Sequence, residues 1–171
     1  YMFGDAVYRL SFTFSHSAPS LTIQFFAANL QNIWDESWGL DNVQVTTDGG
    51  FSYSNNFEGA VGPEWSNTST DTTPSGRRFL GQFGNGVVSL TLSGLAPHTS
   101  ATVSFDLFII RSWDGTASPP YGPDTWGISA DGSLLLQATF SNVDAYHGQT
   151  YCLRPTPTPT ATPTNTPTDT P

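Results

Sequence analysis

The chain has 171 residues, a formal net charge of −9 and no lysine; its five basic residues are all arginines. A surface this acidic speaks against nucleic acid and anionic membranes as partners, and no apolar run approaches the ~18 residues needed to insert into a bilayer. Charged residues make up 11% and aromatics 13% of the chain, with Gly, Ser, Thr, Asn and Pro abundant, which suits an all-β extracellular domain with a hydroxyl- and amide-rich surface.

The strands show as period-two alternation. Over 6–15, Leu10, Phe12 and Phe14 face one way and Arg9, Ser11 and Thr13 the other. After a turn at Ser17-Ala18-Pro19-Ser20, Leu21, Ile23 and Phe25 alternate with Thr22 and Gln24. Val43 and Val45 continue the pattern, with Asn42, Gln44 and Thr46 outward. Residues 59–78 are polar and broken by Pro63 and Pro74, which predicts a surface loop; its Asn67-Thr68-Ser69 is an N-glycosylation sequon. Phe79–Phe83 and the run Val88, Leu90, Leu92 are predicted to form a hairpin around Gly84-Asn85-Gly86. Val103, Phe105 and Leu107 lead into the fully apolar Phe108-Ile109-Ile110, a predicted central strand. Residues 114–124, with Pro119-Pro120 and Pro123, read as a second long loop. Trp126–Ala130 and Leu134–Phe140 flank Asp131-Gly132 as another hairpin. No stretch has a helical period. Eight or nine strands with turns about every ten residues predict an antiparallel β-sandwich over residues 1–154. Its core stands without an internal disulfide, because Cys152 is the single cysteine.

The last 17 residues are of another kind. Threonine occupies each even position: Thr156, Thr158, Thr160, Thr162, Thr164, Thr166, Thr168 and Thr170, with proline between most of them. No side chain in 155–171 is both apolar and larger than alanine or proline, so the segment cannot bury enough surface to offset its ordering entropy. Proline favours an extended, polyproline-like strut spanning roughly 50 Å at ~3.1 Å per residue. Threonine beside proline is the composition of O-glycosylated stalks, so these threonines and Asn67 are the candidate glycosylation sites.

Four motifs carry a resemblance. Asn56-Phe57-Glu58-Gly59, Gly81-Gln82-Phe83-Gly84-Asn85 and Val103-Ser104-Phe105-Asp106-Leu107 resemble the opening strands of jelly-roll modules in bacterial extracellular proteins, themselves similar to lectins and carbohydrate-binding domains. Asp35-Glu36-Ser37-Trp38-Gly39-Leu40-Asp41-Asn42-Val43-Gln44-Val45 resembles their closing strand. In those modules the Phe-Glu-Gly strand comes first. Here the closing half occupies 1–48 and the opening half 49–154. The order fits a circular permutation, an exchange of halves between neighbouring copies, or a tandem array cut out of phase.

The resemblance implies a structural Ca²⁺ where the opening and closing strands meet, held by Glu58, Asp41 and Asp106, with Asp35 and Glu36 from the adjoining loop. Sugar binding would need exposed aromatic faces, for which Trp113, Tyr121 and Trp65 are the candidates. Trp38 and Trp126, at strand starts, are expected in the core. Catalysis is not expected: there is no nucleophile elbow, no phosphate-binding loop, and no metal-ligand spacing among His16, His98 and His147. The leading expectation is a non-catalytic module of an extracellular bacterial surface assembly, a fibre, stalk or layer built of copies of itself joined through the Pro/Thr segment. The alternative is a carbohydrate-binding module tethered by that segment to an enzyme or adhesin.

Overall fold

A computed structural model of the protein describes residues 5–143 and 148–151. Cys152, His147 and the Pro/Thr segment, with all its threonines, lie outside the described residues. Ten strands follow one another: β1 (Ala6–Ser15), β2 (Ser20–Ala28), β3 (Glu36–Thr47), β4 (Ser52–Asn55), β5 (Thr70–Thr72), β6 (Arg78–Phe83), β7 (Gly86–Ser93), β8 (Ser100–Arg111), β9 (Thr125–Ala130) and β10 (Ser133–Thr139). They form a six-stranded sheet in the order β1-β8-β3-β6-β5, with β4 also on β3, and a four-stranded sheet in the order β10-β9-β2-β7. Pairing is antiparallel throughout. The protein is therefore an all-β antiparallel sandwich, as the alternation predicts, and β4 and β5 are the short strands that alternation misses.

One predicted hairpin is corrected. Gly84-Asn85-Gly86 does turn the chain, but β6 lies in the larger sheet and β7 pairs with β2 in the smaller one. The Asn85 side chain fixes this corner: it accepts from Leu30 N (2.9 Å) and donates to Leu30 O (2.7 Å). The turn residues were read correctly; which sheet each flanking strand joins is set by the two apolar faces closing on each other.

The two halves of the chain meet within one molecule here. β1 pairs with β8 over ten residues, from Ala6↔Ile109 to Ser15↔Ser100, and β3 flanks β8 on its other side. β3 then turns straight back into β4, from Val43↔Asn55 to Thr46↔Ser52. The apolar run 108–110 is thus in an interior strand, as expected.

A bulge in β3 decides which side chains reach the outer face. Leu40 and Val43 are both fully buried although they stand three apart, an odd spacing that an unbroken strand cannot place on one face. The register against β8 shifts between Asp41 and Gln44, and Asn42 takes φ 49°. Asp41, next to Leu40 and still in register with Asp106, faces the outer side of the larger sheet, and the bulge after it returns Val43 to the core.

Between the sheets lies one aromatic-rich core. Trp126 is fully buried at its centre, with ring centroids 5.7 Å from Phe105, 6.2 Å from Trp38 and 6.2 Å from Phe140. Trp38 and Trp126 are core residues, as expected.

Candidate functional site

The five acids expected to share one ion do not stand together. Asp41 and Asp106 lie side by side on the outer face, and arginines answer them. Arg77 Nε stands 2.5 Å from Asp41 Oδ2 and its Nη2 3.6 Å from Asp106 Oδ2, while Arg9 Nε is 3.5 Å from Asp106 Oδ1. Asn42 Nδ2 donates to Asp106 Oδ2 at 2.8 Å. Burial pushes the Asp41 carboxyl above its ordinary pKa, and the bond from Asn42 N and the Arg77 charge pull it back. Two acids against two guanidiniums is a matched network with no charge left to attract a cation. Glu58, exposed, caps Arg78: its Oε1 accepts from Arg78 N at 3.1 Å, and Arg78 Nη1 returns a bond to Glu58 O at 3.2 Å. Asp35, also exposed, accepts from Ser112 Oγ at 2.8 Å.

Glu36 is elsewhere, and in different company. It opens β3, opposite Arg111 at the end of β8. The loop that follows β8 brings Asp114 and Asp124 to it, so that one oxygen of each of the three lies within 4.8 Å of the others. The loop is held from below by Trp113, whose Nε1 donates to Ser37 O at 2.9 Å and whose own N donates to Asn142 Oδ1 at 2.9 Å. Gly115 fits where nothing larger does: at φ 62° an added Cβ would meet Gly148 O at 2.2 Å and Ser141 Cβ at 2.8 Å. Sequence reading included Glu36 but not Asp114 or Asp124, which are far from it in the chain. Their signal was faint: an aspartate at each end of a proline-rich loop.

The aromatics expected to stack on sugars divide likewise. Trp113 is fully buried and Trp65 is 3% exposed. Trp65 stacks on Phe25 and donates from Nε1 to Tyr53 Oη at 2.8 Å, so neither ring has a face to offer a ligand. The reason is the size of the sandwich: its ends need large side chains to close them. Tyr121 is 60% exposed, and Trp34, on a neighbouring loop, is 79% exposed. Gln31 Nε2 bonds Pro120 O at 3.2 Å and ties those two loops together.

Next to Trp34, the outer face of the larger sheet carries a groove of about 280 Å³. Its floor is apolar: Phe79 and Phe108 meet edge to face at 5.1 Å, beside Ile110. Val7 and Pro74 also line it, with Asp5, Thr72, Thr73, Gln82 and Arg111 as its polar lining. Arg111 joins groove and platform. Its Nη1 donates to Gln82 Oε1 (2.6 Å), Ile33 O (2.6 Å) and Ser37 Oγ (3.1 Å), and its guanidinium lies over the Trp34 ring at 5.7 Å. The floor depends on two glycines paired across β3 and β6, Gly39 and Gly81. A Cβ on Gly39 would meet the Phe79 ring at 2.5 Å and Leu80 O at 2.9 Å. Gly39→Ala is therefore expected to push Phe79 up into the groove and to cost about 1–3 kcal/mol, read as a lower denaturation midpoint.

The histidines make no metal cluster among the described residues. His16 and His98 do meet: His16 Nδ1 and His98 Nε2 are 2.6 Å apart, and His16 Nε2 is 3.0 Å from Asp131 Oδ2. This chain of bonds links three turns at the end of the sandwich away from Arg111. Asn67 is exposed, its Oδ1 accepting from Ser69 N at 2.9 Å, so the sequon lies at the surface. Comparison with models of protein families, with curated proteins and with solved structures gives no match.

Proposed function

We propose that this protein is a non-catalytic carbohydrate-binding module that works outside the cell, held at a distance from its neighbour by the Pro/Thr segment. The observation that carries the reading is the groove beside Trp34. It combines an apolar floor with the planar side chains of Arg111 and Gln82, and the exposed Trp34 indole lies beneath the Arg111 guanidinium, the kinds of group a pyranose needs. The site is thus moved from Trp113 and Trp65 to Trp34, Arg111 and Gln82, with Tyr121 on the adjoining loop. A glycan array probed with the whole chain tests it. Trp34→Ala is expected to weaken binding of a retained glycan at least tenfold without lowering the melting temperature much, since Trp34 is exposed. An array on which nothing is retained overturns the reading.

A second reading, a structural module in an assembly of copies of itself, is favoured by one feature. β1 is the edge strand of the larger sheet, and the chain's last described residues lie beside its start: Tyr8 Oη donates to Gln149 Oε1 at 3.2 Å, and its ring meets Tyr151 at 5.4 Å. A neighbouring copy could supply that edge as easily as the chain itself. Light scattering separates the readings: a monomer at high concentration removes the second and leaves the first standing.

A further inference from the structure

We propose that Glu36, Asp114 and Asp124 form a calcium site that clamps the loop after β8 onto the start of β3. The inference does not rest on the glycan reading. It rests on two carboxylates buried with one oxygen each left over. Glu36 and Asp124 are both fully buried. Glu36 Oε2 accepts from Gln31 N at 2.5 Å, and Asp124 Oδ2 accepts from Asp114 N and, at 3.2 Å, from Gly115 N. Those bonds fix the orientation of both groups. Glu36 Oε1 and Asp124 Oδ1 have no hydrogen-bond partner among the described residues.

A buried carboxylate oxygen without a donor is costly, and several negative charges together are costlier still. At Asp41 and Asp106 the fold meets that cost with arginines. Among the described residues no ion pair reaches Glu36 or Asp124. Within the described residues, a proton shared between the acids or a bound cation is what could balance them. The spacing fits the cation. Oxygens around an ion at about 2.4 Å stand no more than ~4.8 Å apart, and the three oxygens here are within 4.8 Å of one another.

The donors also select the metal. All three are hard carboxylate oxygens, with no histidine or cysteine in the group, which points away from zinc and copper. Magnesium prefers to keep several waters in a strict octahedron, whereas calcium accepts carboxylates and loop carbonyls in a flexible shell of 6–8. A buried, irregular loop site suits calcium.

The test uses the full chain, stripped with EDTA and dialysed. Terbium provides a direct readout, because Trp113 precedes Asp114 and bonds the residue after Glu36, close enough to sensitise its luminescence. We expect saturable terbium emission at one site, displaced by Ca²⁺ and only weakly by Mg²⁺. Saturating Ca²⁺ is expected to raise the melting temperature by roughly 5–10 °C. Asp124→Asn should lower calcium affinity at least 100-fold and abolish the thermal shift, as should Glu36→Gln, while Asp41→Asn should leave both intact. If either variant fails to fold, the wild-type titration still decides. A melting temperature equal in EDTA and in millimolar Ca²⁺ means a shared proton and overturns the proposal. So does a calcium response that survives Asp124→Asn.

Discussion

Held in chelator, the protein loses stability as the pH rises from 5 to 8. Burial, reinforced by the Asp124, Asp114 and Asp35 charges, pushes the Glu36 carboxyl from 4.5 up to about 8, and burial raises Asp124 to about 6. Between these values and the ordinary carboxylate range, the folded chain holds protons that the unfolded chain has released. Stability therefore falls with rising pH, being fully present below about 4.5 and lost above about 8. For Glu36, fully buried, the swing is on the order of 5 kcal/mol. Calcium should flatten that slope, because it takes the place of the protons and binds the ionised acids more tightly as the pH rises. Denaturant midpoints at four pH values, with EDTA and with Ca²⁺, give the two slopes. A flat profile in EDTA would show that the acids are not raised; two equal slopes would show that calcium does not meet them. Asp48 acts in the opposite direction and outside this window. Hydrogen bonds from Thr99 and Ser100 hold its carboxyl far below the usual range, so its contribution is lost only in strong acid.

Replacing Trp126 by alanine is expected to cost about 3–5 kcal/mol, a large share of the roughly 5–15 kcal/mol that holds a domain folded. The ring meets Phe25 of its own sheet and Trp38 and Phe105 of the facing one, so truncation opens a cavity between the sheets. Trp126→Phe should cost far less than the alanine change. The indole Nε1 is buried with no partner among the described residues, and phenylalanine removes that unmet donor along with part of the ring. Urea denaturation followed by near-ultraviolet circular dichroism compares the two. Equal losses would mean that the indole N–H is bonded after all, and a loss below 1 kcal/mol for alanine would place the ring outside the core.

The strands were legible where one face is buried and the other is wet, as in 6–15 and 20–28, because burial then writes a period of two into the residues. The bulge in β3 was not: that Leu40 and Val43 share one face shows only once both are seen buried. β5 was not: Thr70-Asp71-Thr72 buries little and is held by backbone bonds to β6, which leave no mark on side-chain choice. The destination of β7 was hidden for a different reason, since Gly84-Asn85-Gly86 specifies a reversal but not which sheet lies beyond it. Among the acids, Asp41, Asp106 and Glu36 look alike in sequence. What separates them is Arg77 and Arg9 standing over the first two, a matter of which distant residues the fold brings near. Trp113 and Trp34 are equally indistinct as letters in the sequence; one is fully buried beneath the loop after β8 and the other stands exposed on the loop before β3.

The close approach of Tyr8 to Gln149 and Tyr151 has a mechanical consequence. Chain entering at residue 5 and chain leaving at residue 151 are attached at the same end of the β1–β8 ladder. Tension between them is not shared across the ten pairs at once. It falls first on the bond from Arg111 N to Asp5 Oδ1, 3.0 Å long, and then on Ala6↔Ile109, Val7↔Phe108 and each pair in turn. Under load the sandwich would open like a zip from its β1 edge, giving up length at low force while the rest of both sheets stays closed.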